Sequence, residues 1–66
     1  MSQLKIPNNV FDDLFRFIKE RYAKPLPNSL LIAQAFILKY PEYGTEFGLP
    51  AINSAVEDGI KRGLFD

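Results

Sequence analysis

A nine-residue apolar segment, LLIAQAFIL from Leu30 to Leu38, places the strongest constraint on how this chain folds. Pro27 precedes the segment and Pro41 follows it, and prolines interrupt regular helices. A helix that spans a membrane needs about 20 apolar residues, so this segment is too short to cross a bilayer. On a helix its residues would be apolar on every side, which is typical of a helix at the centre of a core. We therefore predict a soluble all-α protein built around this helix.

Two further helical patterns flank the central one and predict a compact three-helix bundle. The first helix is expected to be capped by Asn9, and the second by Asn28 or Ser29. The third is expected to run from about Pro50 to a left-handed cap at Gly63. Apolar residues recurring at helical spacing give the predicted core. Its members are Phe11, Leu14, Phe15, Ile18, Tyr22, Leu31, Ile32, Ala35, Phe36, Leu38, Ile52, Val56 and Ile60.

The segment PEYGTEFG, residues 41–48, is interpreted as a connector between the second and third helices. It contains two glycines, which favour turns. We expect its Tyr43 and Phe47 to fold back as a lid on one end of the core. The whole chain is interpreted as one small helical domain over residues 1–66, in which residues 1–8 form an extended or mobile N-terminal arm.

The residue composition argues against an enzyme. The chain contains no histidine and no cysteine, which removes the commonest general base, the thiol nucleophile and most ligands for transition metals. The adjacent carboxylates Asp12 and Asp13, and likewise Glu57 and Asp58, point about 100° apart on a helix and do not converge on one ion. We therefore predict no catalytic site, no cofactor and no metal site. The absence of cysteine fits a reducing compartment, and we expect a cytoplasmic protein.

The charges cancel overall but are unevenly distributed along the chain. Met1 to Pro41 carries six basic and three acidic residues, a net charge of +3. Glu42 to Asp66 carries two basic and five acidic residues, a net charge of −3. Two copies could associate with the positive part of one against the negative part of the other, which is compatible with two-fold symmetry.

Small residues recur every four positions along the third predicted helix, at Ala51, Ala55, Gly59 and Gly63. They lie along one strip, where another backbone can approach closely. The strip predicts close packing either within the chain or against a second chain. Glycine inside a helix costs up to about 1 kcal/mol relative to alanine, so Gly59 is expected to have a packing reason.

The primary functional hypothesis is a non-enzymatic protein–protein interaction module of a regulatory or adaptor type, with a homodimer as one form of that interaction. A 66-residue monomer has little surface with which to bury so many apolar groups. Phe17 lies on the flank of the first helix and is expected to be partly exposed. The predicted interface residues are Phe17, Tyr43, Phe47, Ala51, Ala55 and Gly59.

The alternative hypothesis is DNA binding by the last helix. The segment INSAVEDGIKRGLF resembles the recognition-helix end of winged-helix proteins, and the resemblance covers the last third of the chain. It implies that the last two helices are arranged as in a helix-turn-helix, here without a wing. Asn53 and Ser54 would then contact base edges, and Lys61 and Arg62 would contact phosphates. Glu57 and Asp58 lie between these residues and would repel the DNA backbone.

Overall fold

The computed structural model describes residues 6–65, and no strand occurs among them. Four α-helices follow one another along the chain: α1 (Asn8–Arg21), α2 (Ser29–Lys39), α3 (Pro41–Phe47) and α4 (Leu49–Lys61). The predicted all-α class is confirmed, but the prediction of three helices is wrong because the segment interpreted as a connector is itself helical. The predicted helix-turn-helix arrangement of the last two helices is corrected as well, since α3 lies between α2 and α4.

Helix α1 begins two residues earlier than a cap at Asn9 would give. Pro7 occupies the cap position in an extended conformation, and its carbonyl accepts a hydrogen bond of 3.0 Å from the backbone N–H of Phe11. Asn9 therefore lies inside the helix and does not cap it. Ile6 of the predicted arm is buried against the core, and Asn8 already belongs to α1. The remainder of that arm, residues 1–5, lies outside the described residues.

Helix α2 begins and ends as the sequence predicts. The side chain of Asn28 caps it by accepting a hydrogen bond of 2.8 Å from the backbone N–H of Leu30. At its other end Lys39 is the last helical residue, two positions before Pro41. The helix packs against α4 most extensively, and it also contacts α1 and α3. This central position is what its apolar composition predicted.

Helix α3 arises because Pro41 can start a helix as well as end one. Proline suits the first helical position, where its missing N–H removes no hydrogen bond, and Glu42 in the first turn favours the positive end of the helix dipole. Gly44 lies within this helix rather than in a turn. The helix ends at Gly48, whose φ of +86° is open to glycine but strained for other residues.

Helix α4 ends in the left-handed cap that the sequence predicts. Gly63 has a φ of +72°, and the backbone N–H of Leu64 donates to the carbonyl of Gly59 at 2.8 Å. This hydrogen bond closes the last turn as in a Schellman motif. The chain thereby reverses, and Phe65 packs against the core with only 3% of its surface exposed.

The observed core matches the predicted core only in part. Leu14, Ile18, Ile32, Phe36, Ile52 and Val56 are buried as predicted. Phe11, Phe15, Tyr22 and Ala35 are half-buried and pack against the core. Leu31, Leu38 and Ile60 were predicted in the core but are exposed. Buried hydrophobic residues outside the predicted set are Ile6, Val10, Phe17, Ala33, Ala55 and Phe65.

Candidate functional site

One face of α2 carries large apolar side chains that no other part of the described chain covers. Leu31 is 57% exposed and Leu38 is 82% exposed. They are seven residues apart, which places them on the same side of a helix at about 10 Å separation. Gln34 lies between them and is also exposed, and Leu30 is exposed on the flank. We call Leu30, Leu31, Gln34 and Leu38 the outer face of α2.

The outer face exists because the other helices cover only one side of α2. Ile32, Ala33 and Phe36 point into the core and are fully buried. On a helix these three positions lie opposite Leu31 and Leu38. The apolar residues of α2 therefore lie on two sides, one buried and one exposed. The predicted core included residues from both sides.

A groove of about 400 Å³ adjoins the outer face at its C-terminal end. Leu38 forms one edge of this groove, and α3 and the start of α4 form the rest. Its lining residues are Ile37, Leu38, Pro41, Gly44, Thr45 and Leu49. We call it the α2–α3 groove. Its lining is mainly apolar, so it suits an apolar side chain presented by another molecule.

Gly44 sets how closely α3 approaches α2 beside this groove. A Cβ atom placed on Gly44 would lie 2.5 Å from Cγ2 of Ile37, too close for the present backbone positions. The glycine therefore lets the two helices approach one another closely. Close packing against α2 therefore explains why α3 contains a glycine. The sequence pattern had predicted a turn at this glycine.

Two exposed charged residues near the junction of α2 and α3, Lys39 and Glu42, do not line the α2–α3 groove. Lys39 follows Leu38 and is exposed, with its Nζ 5.8 Å from the centroid of the Tyr40 ring. Glu42 lies in the first turn of α3 and is also exposed. Lys39 instead lines a separate cleft between the end of α2 and α1, together with Phe17 and Glu20.

Three of the predicted interface residues are buried within the chain. Phe17, expected to be partly exposed, is 6% exposed and packs edge-on against Phe36 with ring centroids 5.4 Å apart. Ala55 and Gly59 are buried as well. Gly59 faces Phe65 of its own chain, so the small-residue strip serves internal packing there. These three residues are corrected from interface candidates to core residues.

The other three predicted interface residues, Tyr43, Phe47 and Ala51, are half-buried. The Tyr43 ring stacks on Phe36 at 5.6 Å and contacts Phe47 at 6.2 Å. Both aromatic side chains therefore pack on the core as predicted, although from a helix rather than from a connector. They leave less surface for a partner than the outer face of α2 does.

A hydrogen bond joins α3 to α1. The hydroxyl of Tyr43 donates to Oδ2 of Asp13 at 2.7 Å, and the other carboxylate oxygen of Asp13 lies 3.3 Å from the guanidinium of Arg16. The hydrogen bond to the Asp13 carboxylate, aided by partial desolvation, raises the pKa of Tyr43 to about 12. The phenol therefore keeps its proton, and its hydrogen bond between α3 and α1, to higher pH than an ordinary tyrosine would.

The predicted DNA-contacting residues lie on α4 and just after it, but two of them are engaged within the chain. The Oδ1 atom of Asn53 accepts a hydrogen bond of 2.9 Å from Ser29, which ties the start of α2 to α4. The Nε of Arg62 lies 3.2 Å from Oδ2 of Asp58. Ser54 and Lys61 are exposed and line one open cleft, together with the carboxylates of Glu57 and Asp58.

No protein-family model, curated protein or solved structure matches this chain. Within residues 6–65 no helix combines the length and the apolar character that crossing a membrane requires. In the same residues no three metal-ligating side chains lie together.

Sequence reasoning missed Leu30, Leu31 and Leu38 as surface residues. The signal was present, because α2 is apolar all round and a small bundle supplies too few neighbours to cover it completely. Periodicity cannot show which side remains exposed when every side is apolar.

Proposed function

We propose that this chain is a small non-enzymatic protein–protein interaction module of a regulatory or adaptor type, and that it binds through the outer face of α2. The observation that supports the proposal is the exposure of Leu31 and Leu38 on one side of that helix. An exposed leucine on its own is common on protein surfaces, but two exposed leucines at i, i+7 and an adjoining apolar groove concentrate apolar surface on one side of the helix.

The mode of binding that fits this surface is helix packing. Apolar side chains at i and i+7 are the anchors by which one helix recognises another helix or a groove. Gln34 between the two leucines adds a donor and an acceptor that can fix the alignment of a partner. The surface therefore combines apolar contact area with one polar group.

The proposal is tested by comparing the proteins that co-purify with tagged variants from extracts of the host cells. An untagged copy of the chain counts as one of the possible partners. We expect the variant carrying Leu31→Gln and Leu38→Lys to lose its partners. The matched control carries Lys61→Ala and Arg62→Ala on α4 and should retain them. Retention of every partner by the α2 variant would contradict binding through the outer face.

DNA binding through α4 is the second candidate. In its favour, Ser54 and Lys61 are exposed along one open cleft, where a phosphate backbone has access to them. Against it, Glu57 and Asp58 line the same cleft, and Arg62 already pairs with Asp58. A DNA-binding protein would instead lose affinity for DNA in the variant carrying Lys61→Ala and Arg62→Ala and keep it in the α2 variant. Its affinity for DNA would also fall steeply on addition of salt.

A further inference from the structure

We propose that the space filled by Phe65 between α1 and α4 is a binding site for an aromatic side chain of another polypeptide, and that residues 63–65 close this site when no such partner is bound. We call residues 63–65 the strap, and the space lined by Phe11, Phe15 and Gly59 the seat. The seat is a different surface from the outer face of α2, so this inference does not depend on the proposed function.

The seat is shaped for an aromatic ring. Phe11 and Phe15 lie one turn apart on α1 and therefore face the same side. The Phe65 ring stacks on Phe11 with centroids 5.6 Å apart, and its centroid lies 6.1 Å from that of Phe15. It also lies against Gly59 of α4, which has no side chain to occupy the space. Two rings and a bare stretch of backbone accommodate a flat aromatic side chain better than a branched aliphatic one.

The seat also offers a hydrogen-bond acceptor. The carbonyl of Gly59 accepts a hydrogen bond of 2.8 Å from the backbone N–H of Leu64. When the strap leaves, this carbonyl at the end of α4 loses that donor. A partner can supply an equivalent N–H from the residue that precedes its aromatic residue. The ligand that fits the seat is therefore an aromatic residue with a backbone donor beside it, as Leu64 and Phe65 provide.

Few contacts hold the strap in the seat. Among the residues that the structure describes, two backbone hydrogen bonds join it to α4, from Gly63 to Ile60 at 3.1 Å and from Leu64 to Gly59. Its side chains contribute one buried ring, since Leu64 is 41% exposed. A segment held by few buried contacts opens locally more often than the whole fold unfolds. The strap therefore leaves the seat while the helices stay packed.

Gly63 is the hinge of the strap. Its φ of +72° turns the chain back toward α1 and closes the seat. Glycine adopts positive and negative φ about equally readily, so rotation at this residue releases Leu64 and Phe65 without steric strain in the backbone. One residue thus serves both the closed and the open form.

The strap and a partner compete for the seat. A partner binds only the open form, so its apparent dissociation constant is the intrinsic constant divided by the open fraction. A minor state of this kind has a population of about 10% or less. Removal of the Phe65 ring should therefore raise the affinity for an aromatic peptide at least about tenfold.

A peptide added in trans tests the seat. The full chain carrying Phe65→Ala is titrated with the peptide KRGLFD, its ends blocked, and observed by ¹⁵N-HSQC. We expect saturable shifts at Phe11, Phe15 and Gly59, with a dissociation constant below about 1 mM. The same peptide with alanine in place of phenylalanine should cause none. Binding of both peptides, or of neither, would overturn the proposal.

The matched control for this titration is Leu64→Ala, which alters the strap but keeps the Phe65 ring. It should bind the phenylalanine peptide at least about tenfold more weakly than Phe65→Ala does, because its own ring still occupies the seat. Equal affinity of the two variants would mean that the strap does not close the site.

Amide hydrogen exchange of the original chain tests whether the strap opens by itself. The Leu64 amide should be protected at least about 30-fold less than the amide of Val56, which is fully buried on α4. Its exchange should also be insensitive to low concentrations of urea, because local opening exposes little surface. Protection of Leu64 equal to that of Val56 would show that the strap opens only on global unfolding and would overturn the proposal.

A second variant opens the strap without removing its ring. Gly63→Ala disfavours the left-handed conformation, so it should speed exchange of the Leu64 amide about fivefold or more and allow the phenylalanine peptide to bind. This variant carries the test if circular dichroism shows that Phe65→Ala does not fold. A Gly63→Ala chain that exchanges faster but does not bind the peptide would overturn the proposed site.

Discussion

The ring of Phe65 lies against Gly59, in the space that a side chain at position 59 would occupy. A Cβ atom on Gly59 would lie 2.6 Å from Cζ of Phe65 and 3.2 Å from its Cδ2. The left-handed cap at Gly63 turns the chain back, which brings the ring to this position. The glycine inside α4 is therefore explained by a contact within the chain.

We predict that Gly59→Ala destabilises the protein by about 1–2 kcal/mol. The alanine gains up to about 1 kcal/mol in helix propensity, but it displaces a buried phenyl ring whose burial contributes roughly 1.5–3 kcal/mol. The free energy of unfolding in urea measures the difference.

The matched control removes the ring first. In a Phe65→Ala background the space beside Gly59 is open, so Gly59→Ala should stabilise the chain by up to about 1 kcal/mol. This reversal of sign is specific to contact between the two residues. A destabilisation of equal size in both backgrounds would show that Gly59 is required for another reason.

The hydrogen bond from Tyr43 to Asp13 predicts a loss of stability at high pH. The bond raises the pKa of Tyr43 from the ordinary tyrosine value of 10.0 to about 12. Between these values the folded state holds a proton that the unfolded state releases, so stability falls as the pH rises. The contribution is complete below about pH 10 and is lost through about pH 12.

Urea unfolding of the original chain and of Tyr43→Phe across this pH range measures the effect. The phenylalanine variant should be less stable at neutral pH and should show a shallower decline above pH 10.0, the ordinary pKa of tyrosine. Tyr22→Phe serves as a control because it removes a phenol elsewhere in the chain. An unchanged decline in Tyr43→Phe would contradict the assignment of the pKa.

Replacing the leucines of the outer face should leave the stability of the monomer nearly unchanged. Leu31→Gln and Leu38→Lys each alter an exposed side chain, so we expect changes within about 0.5 kcal/mol. Glutamine suits the first turn of α2, and lysine suits its last turn. Ile32→Ala on the buried side of the same helix should cost about 2–5 kcal/mol. A large loss for Leu38→Lys at low protein concentration would mean that Leu38 supports the fold.

Duplex DNA should not bind α4 appreciably. Glu57 and Asp58 lie beside the predicted contact residues, and Arg62 is paired with Asp58. We expect a ¹⁵N-HSQC titration with random-sequence duplex at low salt to leave the α4 resonances in place. Shifts at Ser54 and Lys61 that vanish near 200 mM salt would instead support the DNA-binding alternative.

The sequence was most informative where one residue decides a local conformation. Asn28 caps α2 and Gly63 ends α4, both as predicted. It was ambiguous at Pro41, because the same proline ends one helix and starts the next. Because Pro41 was interpreted only as the end of α2, the seven-residue helix α3 was predicted to be a connector.

The candidate site was harder to predict than the fold. Phe17 and Leu38 are both apolar residues on helices, yet Phe17 is buried by Phe36 whereas Leu38 has no such neighbour. That difference depends on where α3 and α4 pack. The spacing of residues along one helix gives no information about the packing of other helices. The sequence therefore indicated that the chain has more apolar residues than it can bury, without predicting which of them would be exposed.

Photo-crosslinking from the outer face tests most directly whether that face binds protein. A photoreactive amino acid replacing Gln34 leaves Leu31 and Leu38 intact, and the same probe at exposed Glu20 of α1 serves as the control. After irradiation in the host cells, we predict a discrete crosslinked polypeptide from position 34 and none from position 20. Equal labelling from both positions, or none from position 34, would contradict a protein-binding role for this face.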